Sequence, residues 1–164
     1  MGLCWPDMDL PAASRRLLSA ARDLGLDIAI SVFPEGTKTA AEAAAAIGCP
    51  VAAIVKSLVF VVGEEPVVAL VPGDRRLDAS LLAVLAGGDQ VRRASLEEVR
   101  AATGYAAGGT PPFGYPRPLR VFADEHLRRY DPVWAAAGTP TTVFPIALDD
   151  LAQKVQPDWG AISY

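Results

Sequence analysis

The chain of 164 residues is poor in cysteine and histidine, with two of the former and one of the latter. Cys4 and Cys49 are too few for a disulfide framework, and neither belongs to a CxxC or His-paired metal motif. A reduced cytoplasm fits this content best, and we expect no metal and no other cofactor. His126 could pair with Cys49 as a nucleophilic dyad, but Cys49 lies at a predicted helix end, where buried cysteine is usually inert. We expect His126 to be a surface helix residue.

Long apolar runs are also missing, although 51% of the residues are hydrophobic. None approaches the ~18 residues that a membrane-spanning helix requires, so we expect no membrane partner. Residues 1–7 lack the basic start and apolar core of a secretory signal. The length is near the commonest size of a single domain, and we predict one domain over residues 1–164.

Basic residues are not in excess, since the net charge is −4. A domain that contacts a long stretch of nucleic acid is usually basic, so extensive phosphate contact is not expected. The arginine doublets at 75–76, 92–93 and 128–129, with Arg117 and Arg120, could still form a local basic patch. Each of these arginines, taken alone, is also typical of a solvated surface.

Local signals predict an α+β fold. N-cap residues, capping boxes and terminating glycines predict helices at 10–24 (with Asp9 as N-cap), 39–48, 78–85, 95–104, 124–129 and 148–154. Runs of β-branched and aromatic residues predict strands at 28–33, 54–62, 66–71, 90–93, 119–123, 133–137 and 141–146.

One lysine interrupts the apolar strand at 54–62. Strand side chains alternate, so Lys56 lies on the same side as Leu58 and Phe60. An unpaired ammonium is costly to bury, so Lys56 must reach a carboxylate, a carbonyl, a cavity open to water or a ligand. Alternatively, the strand is an edge strand and Lys56 discourages edge-to-edge pairing.

A second feature is the loop at 104–114, which has four glycines in eleven residues and two adjacent prolines. Glycine permits positive φ and close backbone approach, while Pro111 and Pro112 stiffen the chain. Such a loop is suited to directing backbone N–H groups at a ligand oxygen. The alternative is a structural double turn.

Three segments in order, VKSLV at 55–59, VPGDRRLD at 71–78, and TGY at 103–105 with GGTPPFG at 108–114, resemble the YbaK/ProX family. This family comprises freestanding aminoacyl-tRNA editing deacylases and the editing domain of bacterial prolyl-tRNA synthetases. The resemblance runs from about Thr37 to Val155 and implies a mixed, barrel-like sheet flanked by helices, with a strand lysine and the glycine loop beside the scissile ester.

The resemblance also implies an activity and partners. We expect hydrolysis of mischarged aminoacyl-tRNA, on tRNA(Pro) or a similar tRNA that carries alanine, cysteine, serine or threonine. The expected partner is the acceptor end of the tRNA, with an aminoacyl-tRNA synthetase as a further candidate, and the chain would be a monomer or weak homodimer. A catalytically silent binding module remains the alternative, whereas a Schiff-base lysine enzyme is disfavoured because no cofactor motif accompanies Lys56.

Lys56 is expected to be a charged anchor for the ester carbonyl or the terminal phosphate, and the amides of Gly108, Gly109 and Thr110 to be oxyanion donors. A neutral Lys56 acting as general base is the rival role. No Ser-His-Asp, HExxH or cysteine-rich motif is present, so the vicinal 2′-hydroxyl of the substrate is expected to assist, with Asp124 as a further candidate base. The substrate-binding residues are expected to be Val32, Phe33, Ser57, Pro112, Phe113, Asp124, Gly138 and Thr139.

Overall fold

A computed structural model describes residues 3–4, 9–34, 37 and 39–164, with side chains described from residue 9 onward, so the Cys4 thiol lies outside it. The described strands are β1 Leu3–Cys4, β2 Ser31–Val32, β3 Ile54–Val62, β4 Glu65–Pro72, β5 Val91–Arg93, β6 Arg120–Asp124, β7 Val133–Ala136, β8 Thr142–Ile146 and β9 Asp158–Gly160. The α-helices are α1 Ala12–Asp23, α2 Ala40–Ile47, α3 Ala79–Ala86, α4 Leu96–Thr103 and α5 Leu148–Val155. Short 3-10 helices span Val51–Ala53 and Glu125–Arg129.

The strands form one open mixed sheet in the order β1-β2-β8-β7-β3-β4-β6-β9, with β5 paired to β3. β3 and β4 form the long antiparallel hairpin at its centre. β3 with β7, β4 with β6, and β6 with β9 are parallel pairs. The predicted mixed sheet with flanking helices is therefore confirmed.

The edge of β3 that faces away from β4 is shared by two short strands. β7 pairs with Ile54 and Val55 at its start, and β5 pairs with 60–62 at its end. Between them, Ser57 and Leu58 have no ladder partner in either strand. β3 is thus an interior strand with a gap in its pairing beside Lys56, which disfavours the edge-strand interpretation of this lysine.

Apolar residues pack on both faces of the sheet. Val55, Val59 and Val61 of β3 join the larger core, which includes Phe144 and residues of α1 and α5. Phe60 points to the opposite face and joins a second core with Phe122. This alternation confirms that Lys56 shares the face of Phe60 and that Ser57 shares the face of Val55.

Helix α4 ends directly at the glycine loop, and its start is strongly fixed. Ser95 and Glu98 form the predicted capping box, and the Glu98 carboxylate also receives two hydrogen bonds of 2.8 Å from Arg92. The hydrogen bonds from Arg92 and the Ser95 backbone lower the pKa of Glu98 to about 2. Gly104 then ends the helix with φ of 80°.

Several predicted boundaries were wrong. Helix α1 begins at Ala12, so Pro11 and not Asp9 occupies its N-cap position, and no side chain caps this helix end. Only Ser31 and Val32 of the predicted strand at 28–33 form ladder pairs, and Phe33 adds a single backbone hydrogen bond of 2.8 Å to the Thr141 carbonyl. No helix in the described part of the chain is long and apolar enough to cross a membrane.

Candidate active site

A cavity of about 520 Å³ lies beside the gap in β3. Its wall is built from α2, β3, the turn after β4, the glycine loop and the β7–β8 hairpin. The polar residues that line it include Lys56, Ser57, Arg93, Thr110 and Thr139, and Gly108 contributes backbone atoms. The cavity therefore gathers residues from distant parts of the chain.

Lys56 is half-buried in this wall, and its ammonium donates a hydrogen bond to the carbonyl oxygen of Arg75. Burial lowers the pKa of Lys56, and the positive charges of Arg76 and Arg93 lower it further, against the opposing charge of Asp74. The hydrogen bond to the carbonyl favours the charged ammonium, whereas burial and the two arginines favour the neutral amine.

The Arg75 carbonyl belongs to a turn that is fixed against the start of β3. Gly73 N–H donates to Ile54 O at 2.8 Å, and Arg75 N–H donates to Pro72 O at 3.0 Å. A Cβ at Gly73 would lie 2.5 Å from the Val51 carbonyl oxygen, so only glycine permits this approach. The acceptor of Lys56 is thus part of a tightly packed turn.

The glycine loop forms a type II turn at 106–109. Gly109 N–H donates to Ala106 O at 3.0 Å, and Gly108 at the third position has φ of 85°. The Gly109 amide is therefore already occupied and cannot also be an oxyanion donor. Among the described residues, the N–H groups of Gly108 and Thr110 have no acceptor, and both residues line the cavity. Of the three amides expected to be oxyanion donors, those of Gly108 and Thr110 remain candidates for this role.

Gly109 has a packing role instead. Its carbonyl accepts a hydrogen bond of 3.0 Å from Gly138 N–H, and a Cβ at Gly109 would lie 2.7 Å from the Cα of Thr139. The Thr139 hydroxyl in turn bonds that of Thr142 at 2.7 Å. Gly109 therefore joins the glycine loop to the β7–β8 hairpin and sets the width of the cavity between them.

Ser57 also lines the cavity, from the face of β3 opposite to Lys56. Its hydroxyl oxygen is buried and has no hydrogen-bond partner among the described residues. The cavity lining includes consecutive residues of β3, from 54 to 58, and therefore residues from both faces of the strand. A buried hydroxyl without a partner is a candidate contact for a ligand.

Other predicted site residues lie outside the cavity lining. Phe113 is buried and contacts Phe144 edge-on, with ring centroids 5.8 Å apart. Gly138 packs against Ala13 of α1, where a Cβ would lie 2.9 Å from the backbone. The remaining members of this group are Val32, Phe33, Pro112 and Asp124.

Asp124 is fully buried at the end of β6, and its carboxylate is occupied. One oxygen accepts from Ser163 Oγ at 2.7 Å and from Ile162 N–H at 3.0 Å. The other accepts from the backbone N–H of His126 at 2.9 Å and lies 2.7 Å from its Nδ1. Burial raises the pKa of Asp124, but these hydrogen bonds outweigh it and hold the pKa below its ordinary value. Both oxygens are occupied and the lowered pKa weakens the carboxylate as a proton acceptor, which makes Asp124 a poor general base.

The Cys49 and His126 dyad gains no support. His126 lies in a 3-10 helix with its ring turned to Asp124, and burial raises the pKa of the Cys49 thiol, which keeps it protonated. Within the described residues, no three His, Cys, Asp or Glu side chains are grouped as metal ligands.

Sequence reasoning missed part of the cavity wall. Arg93 reaches it from β5, and Ala40, Ala41 and Ala43 reach it from α2. Alanine carries no chemical signal, so the α2 wall could not have been recognised.

A second cavity of about 600 Å³ lies between the start of β4, α4 and residues 117–120, and none of the predicted catalytic or substrate-binding residues lines it.

Comparison with known proteins shows the family of this chain. The model of the aminoacyl-tRNA editing domain matches residues 34–154. A crystal structure provisionally assigned as a trans-editing enzyme for prolyl tRNA synthetase has a TM-score of 0.90 and 39% sequence identity, and the match covers 95% of this chain and 99% of that one.

Two sequence relatives point the same way. The proline–tRNA ligase of Nitratidesulfovibrio vulgaris (strain Hildenborough) is 43% identical over 93 residues, which are 57% of this chain but 16% of the ligase. An Enterococcus faecalis protein provisionally named Cys-tRNA(Pro)/Cys-tRNA(Cys) deacylase EbsC is 33% identical over 107 residues, 65% of each protein. The chain belongs to the aminoacyl-tRNA editing domain family.

Proposed function

We propose that this chain is a freestanding trans-editing enzyme that hydrolyses the ester bond of a mischarged aminoacyl-tRNA. The substrate would be tRNA(Pro) or a similar tRNA that carries a small amino acid. The observation that carries this proposal is the cavity itself, which is lined by Lys56 and by Gly108 and Thr110, whose N–H groups have no acceptor among the described residues. Its volume of about 520 Å³ is within the range of small-molecule sites.

In the proposed reaction, water attacks the ester carbonyl carbon and the negative charge moves to the carbonyl oxygen. The N–H groups of Gly108 and Thr110 donate to this oxyanion, and the Lys56 ammonium adds positive charge nearby. Loss of one such donor elsewhere costs roughly 3 to 4 kcal/mol of barrier, so two donors and a cation supply a substantial acceleration. The bond to the ribose 3′-oxygen then breaks, and this oxygen takes a proton.

We assign Lys56 the role of charged anchor, because its amine donates to the Arg75 carbonyl and this contact favours the ammonium. The proton of the attacking water must then travel by another route. The 2′-hydroxyl of the terminal ribose is adjacent to the departing 3′-oxygen and can pass the proton to it. Asp124 is excluded from this step because both of its oxygens are occupied.

The buried hydroxyl of Ser57 and the cavity-lining Thr139 hydroxyl are the proposed contacts for the amino-acid part of the substrate. Arg93 at the cavity and Arg76, whose charge acts on Lys56, are the proposed contacts for the acceptor-end phosphates. Arg92 is paired with Glu98 and contributes less. Because the net charge is −4, tRNA binding should be weak and salt-sensitive. We therefore propose an aminoacyl-tRNA synthetase as a further partner that would present the substrate.

Purified protein should be incubated with tRNA(Pro) charged with alanine, cysteine, serine, threonine or proline. We expect at least one small mischarged amino acid to be released far faster than by spontaneous hydrolysis, with prolyl-tRNA(Pro) spared and EDTA without effect. If none of the mischarged substrates is released faster than in buffer, the chain is not a deacylase of this class. If zinc reverses inhibition by EDTA, the metal-free mechanism is wrong.

A further inference from the structure

The residue that supplies the acceptor for Lys56 is also connected to the C-terminal residues. While the Arg75 carbonyl accepts from Lys56, the Arg75 guanidinium donates to Ser163 Oγ at 2.7 Å and to Ser163 O at 3.1 Å. The neighbouring backbones also pair, since Arg76 N–H donates to Tyr164 O at 2.9 Å and Tyr164 N–H to Arg76 O at 2.8 Å. The turn that contains Arg75 and Arg76 is therefore held in place by hydrogen bonds with residues 163–164.

Ser163 is fixed in turn by the buried Asp124 carboxylate. Its hydroxyl donates to Asp124 Oδ2 at 2.7 Å while it accepts from Arg75 Nε, so the chain of hydrogen bonds has one consistent direction from the guanidinium to the carboxylate. Ser163 is 6% exposed and Asp124 is fully buried. In such a setting, hydrogen bonds to an ionised group are stronger than those between neutral groups.

We propose that Asp124, Ser163 and Arg75 form a positioning chain that holds the Arg75 carbonyl against the Lys56 ammonium. None of the three needs to touch the substrate. The C-terminal residues would then be part of the active-site machinery, although they lie about a hundred positions after Lys56 in the sequence.

The consequence can be measured on Lys56 itself. The carbonyl acceptor stabilises the ammonium, whereas burial, Arg76 and Arg93 oppose it and Asp74 supports it. If the Arg75 carbonyl loses its fixed position, the ammonium loses part of its stabilisation and the pKa of Lys56 falls. A purely structural clamp would change the melting temperature and leave this pKa in place.

The first test is Ser163→Ala, read by NMR titration of the lysine side chains in the free protein. The chain has three lysines, Lys38, Lys56 and Lys154, so the Lys56 signal can be assigned by its loss in Lys56→Arg. We expect the measured pKa of Lys56 to fall by about 0.5 or more in Ser163→Ala. Ser163→Thr, which keeps the hydroxyl, should restore the wild-type pKa. Ser95→Ala, which removes a helix cap in α4, should lower the melting temperature and leave the Lys56 pKa unchanged.

Arg75→Met is the second variant, and it tests whether the positioning chain sets the pKa of Lys56 if Ser163→Ala does not fold. Loss of a nearby cation would by itself raise the pKa of Lys56, whereas loss of the positioning chain lowers it, so the sign separates the two effects. A fall supports the proposal. An unchanged or raised pKa in Arg75→Met, or an unchanged pKa in folded Ser163→Ala, would overturn it.

The kinetic consequence rests on the proposed function, while the NMR titration does not. In the deacylation assay, Ser163→Ala should lower kcat by about tenfold with a smaller change in KM, because a misplaced cation affects the transition state most. A wild-type protein without deacylase activity would refute the proposed function and still allow the positioning chain to be tested through the Lys56 pKa.

Discussion

Lys56→Ala is expected to lower kcat for deacylation by about a thousandfold while the protein stays folded. Within the described part of the chain, Lys56 and Arg93 are the cationic residues that line the cavity, and loss of the Lys56 ammonium removes charge stabilisation of the oxyanion. Stability should change little, because burial already disfavours the charged amine and its partner, a carbonyl, is neutral. The measurements are single-turnover hydrolysis of the best mischarged tRNA and thermal melting.

Lys154→Ala is the matched control, since it removes an exposed lysine of α5. It should leave both hydrolysis and melting at the wild-type level. Undiminished turnover in Lys56→Ala would remove Lys56 from the site. Unfolding of Lys56→Ala would show instead that its contact with Arg75 is mainly structural.

Gly109→Ala is expected to have the second-largest effect, a loss of about a hundredfold in kcat with a smaller change in KM. A methyl group there would lie 2.7 to 2.8 Å from backbone atoms of Gly138 and Thr139, so the loop and the hairpin must move apart. The amides of Gly108 and Thr110 on either side would move with it, and misplacement of about 1 Å can cost ~100-fold in rate. Transition-state donors affect kcat more than ground-state binding.

Two glycine variants serve as controls. Gly160→Ala introduces a contact at a comparable distance, 2.8 Å, but with the movable end of the Leu85 side chain, in β9 away from the cavity, and it should leave kcat unchanged. A Cβ at Gly108 would lie no closer than 4.0 Å to another residue, so Gly108→Ala should lose less activity than Gly109→Ala. Because the backbone there has φ of 85°, which alanine disfavours, the variant should also be less stable than the wild type. If Gly109→Ala raises only KM, the loop is a binding wall and does not stabilise the oxyanion.

The sequence predicted those elements whose ends depend on local chemistry. The capping box at Ser95 and Glu98 and the Asp78 cap, which accepts from the N–H groups of Ser80 and Leu81, were both confirmed. Local signals could not reveal β9 or the pairing of the C-terminal residues with 76–78, because both depend on distant partners. The run at 28–33 failed for a related reason, since Ile30 is buried in the core without forming a ladder.

Candidate polar residues of the site could be named from the sequence, whereas the geometry of the candidate site could not be predicted. Lys56 in an apolar strand and the clustered glycines at 108–109 are unusual enough to be noticed in the sequence. The turn at 106–109 determines which amide of the loop remains available as a donor. The Asp124 carboxylate is occupied by contacts with Ile162 and Ser163, which are distant from it in the sequence. Neither can be inferred from residue types alone.

The most direct test of the central claim is binding of an aminoacyl-adenosine whose amino acid is joined to the 3′ position by a stable amide bond. Backbone NMR shifts should be followed during titration of the protein with the alanyl compound. We expect saturable shifts centred on Lys56, Gly108 and Thr110, which line the cavity at the gap in β3. Shifts confined to the second cavity, around Val61, Ala101 and Leu119, with the residues around Lys56 unaffected, would contradict the assignment of the active site.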